Sequence, residues 1–226
     1  MYEVILIDAD GTLFDYNKAE KYALEETFRR NNYKGNILEI CRRYRDINSE
    51  LWLQLERGTI TKDELRTERF KRLFEEFNLE YSIDDFSEYY LEKLGEANFL
   101  IEGAEEICKY LSEKYKVVIV TNGIKKVQLS RLDKSAIKDY VNEIVISEEV
   151  GVNKPEVYIF EYALNLIEHK CKKSVIMIGD SLTSDIQGGI RFEIDTCWLN
   201  LDNTENATDI KPKYQINTLK GLSDIL

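Results

Sequence analysis

Apolar and polar positions follow two different periods along the chain. Residues Val4–Ile7 form an unbroken apolar run, which is typical of a strand buried on both faces of a parallel sheet. From residue 16 to about residue 94, apolar residues recur at helical spacing instead, and no convincing strand occurs. The pattern therefore predicts an all-helical block inserted directly after the first strand.

The helical block divides at its own start and stop signals. Gly58 is expected to end the second helix, and Thr61 to begin the third in a capping box with Glu64. The predicted helices lie within residues 16–32, 37–58, 61–77 and 84–94.

Strands and helices alternate from residue 98 onward. Strands are predicted at residues 116–121, 141–146, 174–178, 196–199 and 214–216, and helices at 104–113, 124–132, 156–167, 184–190 and 219–225. Repeating βα units predict a parallel sheet with helices on both faces. We therefore expect a three-layer, Rossmann-like α/β core made of residues 1–15 and 96–226, with a helical cap domain at residues 16–95.

Composition narrows the possible partners. The 226 residues contain 31 basic and 42 acidic side chains, a net charge of −11. This balance argues against a nucleic acid polymer or an anionic membrane as partner, but not against a small anion that needs only local positive groups. No apolar run approaches the ~20 residues of a membrane span. The first strand starts almost at the N-terminus, so no signal peptide is expected and the predicted location is cytoplasmic.

Histidine and cysteine do not form a metal site in this sequence. His169 is the single histidine, and the four cysteines are scattered without a CxxC pair. A zinc site of the Cys/His type is therefore not expected.

Two acids follow the first strand at its C-terminal end. Asp8 and Asp10 are two residues apart and share a face in extended chain. Gly11 then permits a sharp turn, and Thr12 adds a hydroxyl. The two carboxylates repel each other and so require a cation or a proton. Ligands of open α/β sheets bind beyond these strand ends, although two acids there can also simply cap a turn.

Polar groups also follow the second strand. Thr121, Asn122 and Gly123 offer a hydroxyl and backbone N–H groups at a helix start, which suits an anion. Such a turn is common without any ligand. Lys154 precedes Pro155 and a helix start, where it would neutralise a phosphoryl group, although most lysines lie on solvated faces.

A later strand delivers Asp180, and Asp185 follows it. Each acid alone is explained by helix capping, but capping does not explain why several strands all end in polar groups. Oxygen ligands without His or Cys suit Mg²⁺. A metal beside a lysine and backbone donors is what phosphoryl transfer requires.

Four segments in this order resemble the four motifs of the haloacid dehalogenase-like (HAD) superfamily: DADGTLFD, TNG, NKP and GDSLTSD. The helical insert is similar to the class I cap of that superfamily. The passages LWLQLERGTITKDELRTERF and GDSLTSDIQGG also resemble the house-cleaning 5′-nucleotidase branch. Enzymes of that branch dephosphorylate nucleoside monophosphates, including noncanonical pyrimidine ones.

The resemblance implies a role for each acid. Asp8 would be the nucleophile that forms an aspartyl-phosphate, and Asp10 would protonate the leaving alkoxide and then activate water. Mg²⁺ would be held by the Asp8 carboxylate, the Asp10 backbone carbonyl and Asp180. Asp185 would support the water shell of the metal or orient Lys154.

The resemblance also implies a phosphate site. Thr121 and Lys154 would hold the phosphoryl oxygens, with the amides of Asn122 and Gly123 nearby. The expected partner is a small phosphorylated metabolite, in particular a nucleoside monophosphate, and the expected assembly is a monomer or homodimer.

Other functions stay open at this point. The same chemistry would serve a phosphatase or mutase acting on a sugar phosphate or phosphoglycolate, and a binding or regulatory protein could retain the scaffold. The acid at Asp10 disfavours dehalogenation. In the cap, Trp52, Arg66 and Arg69 could reach a base or ribose. We expect instead that Trp52 is cap core and that the arginines lie on a solvated face.

Overall fold

The computed structural model describes all residues from Met1 to Leu226. The chain forms two compact units. The first, called here the sheet unit, contains Met1–Tyr16 and Asn98–Leu226; the second, the helical unit, contains Asn17–Ala97.

Six parallel strands form one sheet, as the βα pattern predicted. They are β1 (Val4–Ile7), β2 (Lys116–Thr121), β3 (Glu143–Ile146), β4 (Val175–Gly179), β5 (Asp195–Leu199) and β6 (Tyr214–Ile216). The order is β3-β2-β1-β4-β5-β6. Strand β1 therefore lies between β2 and β4, and its Leu6 pairs with Val118 on one side and Met177 on the other.

The helices are α1 (Tyr16–Arg30), α2 (Ile37–Glu56), α3 (Lys62–Phe77), α4 (Ile83–Glu96), α5 (Ala104–Ser112), α6 (Lys125–Asp133), α7 (Ser147–Val150), α8 (Val157–Leu166) and α9 (Gln187–Arg191). Short 3₁₀ helices lie at Lys138–Tyr140, Lys172–Ser174 and Leu219–Asp224, and a π-helical turn at Leu182–Ile186. None of the helices combines the length and apolar character that a membrane crossing demands.

Side chains of β1 alternate between two buried cores. Ile5 and Ile7 pack in a cluster with α5 residues such as Cys108. Val4 and Leu6 enter a second cluster with residues of α8. The sheet is thus covered on both faces, which is the predicted three-layer, Rossmann-like arrangement.

The predicted helix at 184–190 is present, but its first part is not an α-helix. The chain makes a π-helical turn over Leu182–Ile186 before the short α9. Gly188 and Gly189 then bring α9 very close to its neighbours, because a Cβ atom at Gly188 would lie 2.6 Å from the Phe160 ring. The predicted terminal helix at 219–225 is a 3₁₀ helix instead.

Aromatic side chains form the core of the helical unit. Phe86 lies 4.9 Å from both Phe28 and Phe74 and 5.0 Å from Phe70, measured between ring centroids. The predicted capping box at Thr61 is present.

The expectation that Arg69 lies on a solvated face is wrong. Its side chain is buried, and the guanidinium carbon lies 5.0 Å from the ring centroid of Phe70 and 4.9 Å from that of Tyr90. Arg66 is half-buried and pairs with Asp63 at 3.2 Å. A guanidinium can be buried in this way because aromatic faces attract it electrostatically.

Candidate active site

Three adjacent strands bring polar side chains to one edge of the sheet. Asp8 follows β1, Asp180 follows β4, and Thr121 ends β2. The Asp8 amide continues the ladder by donating to the Ile178 carbonyl at 2.9 Å. One carboxylate oxygen from each of Asp8, Asp180 and Asp185 lies within 4.8 Å of the other two. The edge therefore holds an acidic cluster, defined here as these three residues.

Lys154 is the cation of this cluster. Its side chain is 1% exposed, and its Nζ contacts the Asp8 carboxylate. Nζ also donates to Asp185 Oδ1 at 2.7 Å and to the Val120 carbonyl at 2.6 Å. The Asn122 side chain fixes the Lys154 backbone, accepting from its amide at 2.8 Å and donating to its carbonyl at 2.9 Å. The lysine is thus held at the site and does not lie on a solvated face.

The TNG turn is organised by Thr121. Its Oγ1 accepts a hydrogen bond from the Gly123 amide at 3.0 Å. Gly123 also makes room for Gln128, because a Cβ atom at position 123 would collide with that side chain.

Asp185 is fixed by the π-helical turn. Its Oδ2 accepts from the Ser181 amide at 3.0 Å, and its Oδ1 accepts from Lys154. A Cβ atom at Gly179 would collide with the Asp185 carboxylate. Both oxygens of this buried acid are therefore engaged within the protein.

Asp180 is the exposed member of the cluster. Thr12 Oγ1 donates to its Oδ1 at 3.0 Å and accepts from its amide at 3.1 Å. Gly11 has φ 81° and allows this close approach, since a Cβ atom there would collide with the Asp180 carboxylate. Although part of the residue reaches solvent, the surrounding protein removes much of the water near the carboxyl. This desolvation, with repulsion from Asp185, raises the pKa of Asp180 to about 7.

The cluster carries more negative than positive charge. Burial raises the pKa of Asp8 well above its usual value; Lys154 opposes this shift, while Asp185 and Asp180 add to it. Burial lowers the pKa of Lys154, but Asp185 and Asp8 outweigh this and raise it. Three carboxylates thus face one ammonium, and hard oxygen donors in excess negative charge fit a hard divalent cation.

Asp10 stands apart from the acidic cluster and is held by α6. Its Oδ2 accepts from Gln128 Nε2 at 2.5 Å, and its Oδ1 lies 2.5 Å from an Arg131 nitrogen. Sequence reasoning did not identify Gln128 or Arg131. The sequence carries only a weak signal for them: both are polar and lie three residues apart on one face of the helix that follows the TNG turn.

The family model of the haloacid dehalogenase-like hydrolases matches residues 2–192 of this chain. The chain is 35% identical to the HAD-hydrolase YfnB of Bacillus subtilis, over all of this chain and 95% of YfnB. It is 35% identical to the pyrimidine 5′-nucleotidase PynA of Streptococcus pneumoniae, over all of this chain and 95% of PynA. It is also 33% identical to the pyrimidine 5′-nucleotidase YjjG of Escherichia coli, over all of this chain and 98% of YjjG.

A solved structure of YfnB from Bacillus subtilis aligns with a TM-score of 0.94, covering all of this chain and 98% of that one. That structure is bound to magnesium and reveals interdomain movement. The chain belongs to the haloacid dehalogenase-like hydrolase family. This membership confirms the resemblance and the fold predicted from the four motifs.

Proposed function

We propose that the protein is a Mg²⁺-dependent phosphatase that hydrolyses nucleoside 5′-monophosphates, pyrimidine ones in particular, through an aspartyl-phosphate on Asp8. The enzyme class, a phosphoric monoester hydrolase, is supported by the family and by the nucleotidase relatives. In this proposal the sheet unit is the catalytic core and the helical unit is the cap that selects the substrate.

One observation gives the main support for this mechanism. The buried Lys154 Nζ contacts both Asp8 and Asp185 inside a cluster of three carboxylates at the ends of adjacent strands. A nucleophilic carboxylate has to approach an anionic phosphate, and positive charge beside it reduces their repulsion.

In the first half-reaction, an Asp8 oxygen attacks phosphorus and the bond to the ester oxygen breaks. Asp10 donates its proton to that oxygen, so the substrate leaves as a neutral alcohol. In the second half-reaction, water attacks the same phosphorus, gives a proton to the Asp10 carboxylate, and the bond to Asp8 breaks to release phosphate. Lys154 and the Thr121 hydroxyl would hold the phosphoryl oxygens.

The acidic cluster would hold the metal. Asp8, Asp180 and the Asp10 carbonyl would be the protein ligands, and Asp185 would act mainly by holding Lys154 in place. When bound, Mg²⁺ would supply positive charge that neutralises phosphoryl oxygens as phosphorus is attacked.

The test is phosphate release from a panel of phosphate esters, with Mg²⁺ in wild type and Asp8→Asn. The panel contains UMP, dUMP, dTMP, IMP, glucose 6-phosphate, phosphoglycolate and p-nitrophenyl phosphate. Asp195→Asn is the matched control, because Asp195 begins β5 and pairs with Lys213 at 2.7 Å, outside the acidic cluster. Wild type should favour pyrimidine nucleotides, Asp195→Asn should resemble it, and Asp8→Asn should be inactive.

Other results would correct the proposal at different levels. A sugar phosphate or phosphoglycolate as the best substrate would leave the mechanism but overturn the substrate class. No turnover with any divalent metal would overturn the enzymatic function itself. Acid-quenched protein from turnover of ³²P-labelled UMP should carry covalent label in wild type and none in Asp8→Asn.

A further inference from the structure

Helix α6 engages both oxygens of the Asp10 carboxylate. Gln128 donates to Oδ2 and the Arg131 guanidinium lies beside Oδ1, each at 2.5 Å. The Arg131 side chain is fully buried and Gln128 is 1% exposed, while the Asp10 side chain is 25% exposed. The α6 side chains therefore approach Asp10 from within the protein.

Arg131 is poorly explained by packing alone. Its guanidinium carbon lies 5.1 Å from the Phe14 ring centroid, and its one polar contact is the ion pair with Asp10. Burying a charge with so few partners is costly, and an apolar side chain of similar volume would usually stabilise the fold as well or better. The cost suggests that this arginine is present for its effect on Asp10.

Gln128 is fixed by the TNG turn. The missing Cβ of Gly123 leaves the space that the Gln128 amide occupies. The turn that carries Thr121 thus also sets the position of the group that reaches Asp10, 118 residues away in sequence.

We propose that Gln128 and Arg131 are positioning residues for Asp10: they fix the orientation of its carboxyl group, which serves the leaving oxygen. This inference rests on the proposed role of Asp10 as general acid. The proton departs as the phosphorus–ester bond breaks and the phosphorus–Asp8 bond forms. Water returns the proton to Asp10 in the second half-reaction.

The experiment compares two leaving groups in Gln128→Met, an unbranched change of similar volume. UMP, or the alkyl phosphate that wild type hydrolyses fastest, needs its alkoxide protonated, whereas p-nitrophenolate leaves without a proton. The ratio kcat/KM includes steps only up to the first irreversible transfer to Asp8, so the later hydrolysis does not enter it. For the alkyl phosphate kcat/KM should fall about 10- to 100-fold, and for p-nitrophenyl phosphate less than about threefold.

Three controls separate positioning from loss of structure. Val127→Ala loosens the same buried helix without touching Asp10 and should affect both substrates alike. Arg131→Lys keeps the charge but loses the planar fork, and should give a smaller loss of the same selective kind. Adding Gln128→Met to Asp10→Asn should cause no further loss, because both changes remove one function.

The outcomes distinguish this inference from the function on which it rests. If Gln128→Met and Arg131→Lys each lower kcat/KM equally for both substrates, the positioning role is wrong. If Asp10→Asn itself shows no difference between the leaving groups, the general-acid role is wrong and the inference falls with it. If Gln128→Met does not unfold cooperatively, the Arg131→Lys result alone tests the positioning role.

Discussion

In the sheet unit three carboxylates converge on one ammonium, whereas in the helical unit the buried carboxylate of Glu20 has a cation and an amide of its own. Asp8 and Asp185 share Lys154, and Asp180 adds a further negative group to them. In the helical unit the buried Glu20 accepts from Asn48 at 3.1 Å and pairs with Arg45 at 3.3 Å.

This contrast distinguishes a functional site from a network of charges that only stabilises the fold. A balanced buried network stabilises its own fold, because each group has a partner of opposite charge or a hydrogen bond. An unbalanced one costs stability in the empty protein, and this cost is recovered only when a cation or a ligand binds. The imbalance in the acidic cluster is therefore functional evidence, while Glu20 is evidence about stability.

Among the predicted substitutions, Asp8→Asn should have the largest effect on activity. It removes the proposed nucleophile, so phosphate release should fall by at least about 10⁴-fold. It also removes a buried carboxylate whose pKa is raised mainly by burial. Because a raised carboxyl pKa means that the charged form destabilises the fold, the melting temperature at pH 7.5 in EDTA should equal or exceed that of wild type. A clear loss of stability would show that Asp8 is structural.

Magnesium binding should offset the destabilisation that the excess of carboxylates in the acidic cluster causes. At 100 times its dissociation constant it should add about 2.7 kcal/mol to the free energy of unfolding of wild type. Asp180→Asn should lose most of this gain, and Asp195→Asn should keep it. The measurement is the thermal midpoint with and without Mg²⁺; an equal gain in all three proteins would place the metal elsewhere.

The stability of the metal-free protein should depend on pH through Asp180. The pKa of Asp180 is raised from 3.8 to about 7, so its protonated form favours the fold. The stabilisation is present below pH 3.8 and is lost as the pH rises through about 7. In EDTA, the unfolding midpoint of wild type should fall between pH 5 and 8, and that of Asp180→Asn should fall less.

Glu20→Gln is the isosteric counterpart in the helical unit. It leaves Arg45 without its anionic partner and weakens the contact with Asn48. The free energy of unfolding should fall by about 2 kcal/mol, in contrast to Asp8→Asn. Urea denaturation of the two variants tests this directly, and an unchanged midpoint for Glu20→Gln would remove the distinction between balanced and unbalanced charge.

The acidic cluster was predictable because it rests on local patterns. Unbroken apolar runs mark β1 and β4, and the acids that follow them meet once these strands are neighbours in a parallel sheet. Gln128, Arg131 and Arg69 were not predictable in this way. Polar residues on an amphipathic helix usually face water, and the partners that bury them come from distant parts of the chain.

The π-helical turn at Leu182–Ile186 was missed for a related reason. Its polar residues and the glycines that follow are compatible with an ordinary helix start. The turn widens because the amides of both Asp185 and Ile186 donate to the Ser181 carbonyl, while the Ser181 amide donates to Asp185 Oδ2. The local form depends on a side chain that Lys154 also engages, and propensity alone does not contain that information.

Thr61→Ala should have the smallest effect, confined to the stability of the helical unit. The Thr61 hydroxyl accepts from the Glu64 amide at 3.2 Å, and Glu64 in turn accepts from the Thr61 amide at 2.7 Å. Losing this cap should cost about 1 kcal/mol. Thr67→Ala is the matched control on the same helix, because its hydroxyl bonds only backbone carbonyls of the preceding turn at 3.3 Å. Since alanine is the better helix former, Thr67→Ala should be neutral or slightly stabilising in urea. Equal losses would mean that the threonines act through general helix propensity and not through the cap.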